Sequence, residues 1–498
     1  MTVLKELKQE ANLNYTENGA VTNVSTMSGC LDFFSTAGAL RKADEADMIA
    51  RFINAYAENR DIALKILFFA RDIRGGLGER RLFRVILKYL ADQDPSVVRK
   101  NLPLISEYGR YDDLLALMGT ACEADAIARI REQLEKDIIA QKTGETVSLI
   151  AKWLPSVNTS STAQSALGRK IAKACGMKES EYRKTLSVLR RELRILENRL
   201  REKDYTFDYE KQASRALFKY KKAFMRNDGK RYAEFIKAAS EGTVRLNAGN
   251  IYPYELIDPY IGNYYNGSNR CFMRPVSDAE KDVLNASWAA LPDYGSEENA
   301  LAVVDTSGSM YWSGSPKPAS VALSLGLYFA EHNKGEFADH FIMFSERPQL
   351  IELRGETFVD RLRYAASFNE VGNTDIEAVF RLVLQTAVKN HIPQEEMPAK
   401  LVIISDMEFD CCTENASLSN FENAKKMYES AGYHLPQIVF WNVQSRNRQN
   451  PVRFNEAGVA LVSGCTPRLF SMTVGEIVDP YTLMMNVIGG ERYARIAA

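Results

Sequence analysis

From about residue 44 to 117, apolar positions recur every three or four residues: Met48, Ile49, Phe52, Ile53 and Tyr56, then Leu64, Leu67 and Phe68, then Leu82, Phe83, Ile86, Leu87 and Leu90. One face of an α-helix repeats at that interval, so the pattern predicts a succession of helices. The breaks Gly75-Gly76-Leu77-Gly78 and Asp92-Gln93-Asp94-Pro95 hold each helix to roughly 12 residues and predict antiparallel helix pairs. Stacked pairs of this kind build α-solenoids, although no exact sequence repeat marks a period here. Helical spacing continues through 181–201 and 214–239, with a stretch rich in Tyr, Asn, Gly and Pro at 247–269.

Beyond a boundary within 277–298 the pattern changes. Continuous apolar runs at 299–304, 338–344, 400–405, 437–443 and 458–463 predict strands, and helical stretches fall between them at about 317–332, 374–390, 418–431 and from about 479. Such alternation predicts a parallel sheet covered on both faces. The chain therefore reads as multidomain: an all-α helical-repeat domain over residues 1–285, then an α/β Rossmann-like domain over 286–498.

Oxygen-bearing side chains gather where these strands end. Asp305, Ser307 and Ser309 follow the first run, Thr374 lies in the loop Gly372-Asn373-Thr374-Asp375, and Asp406 closes the run Leu401–Ser405. Ligands of open α/β sheets collect beyond the carboxyl ends of the strands. A hard divalent ion, Mg²⁺ or else Mn²⁺ or Ca²⁺, takes oxygen ligands. Hydroxyl ligands are neutral, so the ion would keep positive charge for an incoming carboxylate or phosphate. The competing reading of Asp305-Thr-Ser-Gly-Ser is a helix cap.

Composition and charge narrow the picture. A chain of 498 residues with 46% hydrophobic content and a net charge of −1 is globular. A charged N-terminus and the lack of any apolar run near ~20 residues predict a cytoplasmic protein with no membrane partner. Seven scattered cysteines without a C-x-x-C pair argue for reduced, packed side chains, with Cys411-Cys412 open to a redox reading. Residues 181–245 hold 18 Lys plus Arg against 10 Asp plus Glu. Within them Arg215, Lys219, Lys222 and Arg226 share one helix face near Tyr220 and Phe224, and Lys230 and Arg231 follow. The stripe suits an RNA backbone with base stacking, or equally a solvated face whose apolar side, Ala216, Leu217, Tyr220 and Phe224, is core. A second cluster, including Arg80 and Arg81, flanks the glycines at 75–78, which predict a helix-ending turn because no strand precedes them. Arg446, Arg448 and Arg453 follow the strand 437–443 and should share the sheet edge with the metal residues, unless they are plain surface charge. Four histidines without ligand spacing and a serine without a G-x-S-x-G elbow predict no catalysis, Glu408 and Asp410 being the nearest candidate bases.

The set Arg71-Asp-Ile-Arg-Gly-Gly-Leu-Gly-Glu-Arg-Arg, Tyr108-Gly-Arg-Tyr-Asp-Asp-Leu-Leu, Ala151-Lys-Trp-Leu-Pro-Ser, Tyr220-Lys-Lys-Ala-Phe, Val303-Val-Asp-Thr-Ser-Gly-Ser-Met and Ile404-Ser-Asp-Met-Glu-Phe-Asp resembles an uncharacterised family of proteins containing a von Willebrand factor A (VWA) domain. That family is similar in layout to the TROVE proteins, the Ro autoantigen among them, in which a ring of HEAT-like repeats carries a VWA domain. The resemblance implies a non-catalytic ribonucleoprotein component. Single-stranded or small structured RNA would bind residues 1–285, with Arg215–Arg231 leading, and a metal-ion-dependent adhesion site (MIDAS) would use Asp305, Ser307, Ser309, Thr374 and Asp406. Met407-Glu408 stands where many VWA domains carry Gly-Glu. The alternative is a protein-interaction scaffold whose metal captures an acidic residue of a partner.

Overall fold

The computed structural model describes Val3, Leu7 and residues 11–244, 246–247, 249, 251–262, 273–311, 316–344, 347–368, 372–411 and 418–498, so Cys271 and Cys412 lie outside the described residues. Two compact units emerge, neither continuous in sequence. One comprises residues 1–43, 54–59 and 209–490, and the other 44–53, 60–208 and 491–498.

The first unit is organised by a six-stranded sheet in the order β5-β4-β3-β6-β7-β8. Its strands are β3 (Ala300–Asp305), β4 (His340–Phe344), β5 (Gln349–Glu352), β6 (Lys400–Ser405), β7 (Gln437–Asn442) and β8 (Val459–Ser463). Every residue of β3, β6 and β8 is buried, as expected for strands covered on both faces. The helix Pro318–His332 is buried from Pro318 through Ala330 and packs on β3. Gly326 permits this approach, because a Cβ there would stand 2.3 Å from Val304 Cγ2.

All neighbouring strands run parallel except β5, which lies antiparallel on β4. The sheet is thus mixed, where the apolar runs predicted a parallel one. A four-residue edge strand with Ile351 buried and Leu350 exposed leaves too short an alternation to register. Also unforeseen is an N-terminal hairpin, β1 (Leu13–Tyr15) paired with β2 (Val21–Asn23).

The second unit is helical. Arg60–Arg71 packs on Arg80–Gln93, which packs on Pro95–Tyr108; Glu123–Thr143, Thr162–Ala174 and Glu179–Glu192 continue the series. Phe68 meets Phe83 and Tyr108 edge-on with ring centroids 5.4 and 5.5 Å apart, and Tyr108 stacks on Tyr493. The glycine segment is a helix-ending turn, with Gly76 N–H donating to Asp72 O and Leu77 N–H to Phe69 O.

Asp72 ties this turn to the C-terminal residues. It accepts hydrogen bonds from Arg492 Nη2 (2.7 Å), the Arg74 N–H (2.9 Å) and the Tyr493 hydroxyl (3.0 Å). Burial pushes its pKa up, but the Arg492 and main-chain donors prevail and hold it below the usual carboxylate value. A depressed folded value means that the stabilisation is complete above the unfolded pKa, about 3.9, and is lost as pH falls through the lower folded value. The gap in melting temperature between wild type and Asp72→Asn is therefore expected to be constant from pH 7 to 5 and to close towards pH 3. A gap that widens with acid would contradict this.

Among the described residues, no helix is long and apolar enough to cross a membrane. Cys30, Cys122, Cys175 and Cys465 are buried, as expected, whereas Cys411 is exposed rather than packed.

Candidate metal centre

Strands β3 and β6 are parallel neighbours in register Val304↔Ile404, so Asp305 and Ser405 leave the sheet side by side, with Asp406 next in the chain. Ser405 Oγ donates to Asp305 Oδ2 at 2.5 Å, and Asp305 Oδ1 accepts the Ser307 N–H at 2.8 Å. That second bond curls the loop back over the strand end and brings Ser307 Oγ to 3.2 Å from Ser309 Oγ. The Ser309 hydroxyl lies near enough to Asp406 to lower its pKa against the effect of burial. Thr374 arrives on the loop before the helix Ile376–Asn390, whose N-cap is Asp375. That loop abuts both of the others: Gly308 N–H donates to Gly372 O at 3.4 Å, and Asp410 N–H to Thr374 O at 2.9 Å. All five residues expected at the centre therefore lie on three adjoining loops at one edge of the sheet.

Asp305, Ser307, Thr374 and Asp406 are each at most 2% exposed. Burial, then the Asp305 charge, raises the pKa of Asp406, and burial raises that of Asp305. Two desolvated carboxylates in one site repel each other, and either a retained proton or a nearby cation relieves that repulsion. The donor set is all oxygen, two carboxylates among neutral hydroxyls, which fits a hard divalent ion.

Further residues join the centre. Arg446 Nη2 lies 3.0 Å from Asp406 Oδ2 and 3.2 Å from Glu17 Oε2. Of the three arginines after β7, Arg446 thus reaches the carboxylates. Glu408 is 1% exposed, and its carboxylate accepts the Glu17 N–H (2.8 Å) and the Asn447 amide (2.9 Å). Asn18 Nδ2 donates to Glu408 O at 2.7 Å and lies 3.5 Å from Thr374 Oγ1. The sequence held no local signal for Glu17 or Asn18. Met407 has φ 68°, the left-handed conformation that glycine adopts at least cost.

The basic residues divide differently. Arg80 and Arg81 belong to the helical unit and are exposed, with Arg81 Nη1 3.9 Å from Met48 Sδ. The helix Ser214–Asn227 belongs to the unit that holds the sheet. On it Lys219, Lys222 and Arg226 are exposed, as is Lys230 beyond it, while Arg215 pairs with Glu255 at 2.6 Å and Arg231 with Asp228 at 3.0 Å. Phe224 is fully buried, and its ring packs against Tyr209 and Tyr232. It is therefore a core residue and offers no stacking surface to a base.

An uncharacterised protein of Acanthamoeba polyphaga mimivirus is similar to this chain, 29% identical over 520 residues that cover 96% of this chain and 87% of that protein. The crystal structure of the Deinococcus radiodurans Ro (RSR) protein aligns with 95% of this chain and 99% of its own at 13% identity and a TM-score of 0.32. Residues 299–480, which contain Asp305, Ser307, Ser309, Thr374 and Asp406, match a domain of unknown function, DUF7788. Matches at residues 16–128 and 124–294 together span more than half of the chain, which thus belongs to the family described as a domain of unknown function, DUF2828.

Proposed function

We propose that the chain is a non-catalytic binding protein of VWA type in which Asp305, Ser307, Ser309, Thr374 and Asp406 hold Mg²⁺, directly or through water, and through it capture an acidic group of a partner. The observation that carries this reading is the pair of buried carboxylates at the ends of β3 and β6, set among hydroxyls. The bound ion would supply a positive docking point for a carboxylate oxygen. Asp305 and Asp406 supply the charge that retains it, and Arg446 offers a second cationic contact beside it. Glu408, the nearest candidate base, has both carboxylate oxygens committed to N–H donors, which favours binding over hydrolysis. Calorimetric titration with Mg²⁺ tests the centre, and absence of saturable binding would sink it.

RNA binding of Ro type, in the cytoplasm, is the second reading, favoured by the exposed run Lys219, Lys222, Arg226 and Lys230. Phosphate contacts make affinity for single strands fall with salt, with a slope near −0.7 per contact. Three contacts from Lys219, Lys222 and Arg226 would cost roughly 20-fold between 50 and 200 mM salt. The variant Lys219→Glu/Lys222→Glu/Arg226→Glu is expected to lose both the binding and this slope in a fluorescence-anisotropy titration with single-stranded RNA. Identical curves for variant and wild type would remove this helix from the reading.

A further inference from the structure

The turn of the N-terminal hairpin is seated on the candidate centre. Thr16 Oγ1 donates to Phe409 O at 2.6 Å, Gly19 forms a bridge with Asp410, and Asn18 is fixed to Glu408 O. Thr16 and Ala20 close the turn on themselves, with the Thr16 N–H donating to Ala20 O at 2.9 Å. These bonds hold the turn without help from the Glu17 carboxylate, which remains 46% exposed. That carboxylate nevertheless has a defined position. Its Oε2 is 3.2 Å from Arg446 Nη2, the nitrogen that also reaches Asp406, and its Oε1 accepts the Asn447 amide at 3.0 Å.

We infer that Arg446 and Asn447 form the carboxylate-recognition arm of the metal centre, and that Glu17 is an internal ligand occupying it until an acidic side chain of a partner polypeptide takes its place. The inference rests on the metal reading and names the chemistry of the partner. One donor is presented to each oxygen of a flat carboxylate, from Arg446 on one side and Asn447 on the other. A half-exposed side chain on an independently held turn can leave by rotating, with no part of the fold undone. An internal occupant lowers apparent affinity for an external one by the fraction of time that it is away. The N-terminal turn would therefore set the threshold of acidity and concentration at which a partner is captured.

The test uses the full chain with Mn²⁺ and ¹³C-acetate as probes. Mn²⁺ binding is followed by electron paramagnetic resonance, and acetate by the relaxation that bound Mn²⁺ induces in its carboxyl carbon. Glu17→Gln is expected to bind acetate about tenfold more tightly than wild type, and Arg446→Gln to bind it more weakly than either. Glu17→Gln keeps the size of the side chain at an exposed position, so its melting temperature should match the wild type. If Mn²⁺ binds normally but Glu17→Gln and wild type take up acetate equally, the internal-ligand role is overturned and the metal centre stands. If Mn²⁺ binds to none of the proteins, both readings fall together.

Discussion

Asp305→Asn is expected to lower Mg²⁺ affinity at least about a hundredfold, and to do so without destabilising the metal-free protein. Loss of a group that merely orients a ligand already costs 10- to 100-fold, and Asp305 is one of the two buried carboxyl groups on which the proposed ion would depend. The free protein should tolerate the change because its two carboxylates oppose each other, the charge of Asp305 being a cause of the raised Asp406 pKa. Asparagine keeps an oxygen for the Ser307 N–H and places its amide towards Ser405 Oγ, a hydroxyl able to accept as well as donate. In wild type, Mg²⁺ at a hundred times its dissociation constant adds about 2.7 kcal/mol to folding stability. Thermal melts should therefore show a magnesium-dependent rise for wild type and none for Asp305→Asn, with the two metal-free curves coinciding or the variant slightly higher. A variant that melts well below wild type without metal would mean that the Asp305 cluster is structural.

How much of this was legible in the sequence depends on how local each signal is. Asp305, Ser307 and Ser309 are bound to one strand end by short loop geometry, and Asp406 to the next strand, so apolar runs that predict strands also predict where these side chains gather. Thr374 came into view because a loop that precedes a helix is read from the same pattern. Glu17 and Asn18 reach the centre across a separation of 391 residues between Glu17 and Glu408, through hydrogen bonds that no periodicity encodes. Helical spacing put Lys219, Lys222 and Phe224 on recurrent positions, but spacing alone leaves open which side faces the core; burial of Phe224 and Leu217 decides it. Strand β5 escaped because four residues give only one clear alternation. The charge-rich motifs around Arg71 and Tyr108 were legible as a set, yet their cause is a buried network that only the fold assembles.

That network carries the largest expected change in stability. Asp113 is fully buried and accepts from Arg71 Nε (2.7 Å), Arg84 Nε (2.6 Å) and the Arg110 N–H (2.9 Å). Gly109 is required beside it, since a Cβ there would stand 2.3 Å from Asp113 Oδ2 and 2.9 Å from Arg71 Nε. Arg71 is 2% exposed, so without Asp113 its guanidinium is a desolvated charge with its counter-ion gone. Breaking a buried pair from one side costs about 3–5 kcal/mol, whereas exchanging both partners for apolar residues of similar volume is often neutral. Asp113→Ala is accordingly expected to lower the urea midpoint of the helical unit by more than about 1 M, given slopes of 1–3 kcal/mol/M. Arg71→Met/Asp113→Leu should recover part of the loss, held back by Arg84, which would keep only Asp112 at 2.7 Å. Trp153, on whose ring the Arg110 guanidinium lies 3.8 Å from the centroid, belongs to this unit while Trp288 and Trp441 belong to the other, so the fluorescence difference between the protein and its Trp153→Phe variant follows the unfolding of the helical unit. If Asp113→Ala stays within about 1 kcal/mol of wild type, the pair acts as a surface ion pair does, and the motif must owe its composition to something other than the core.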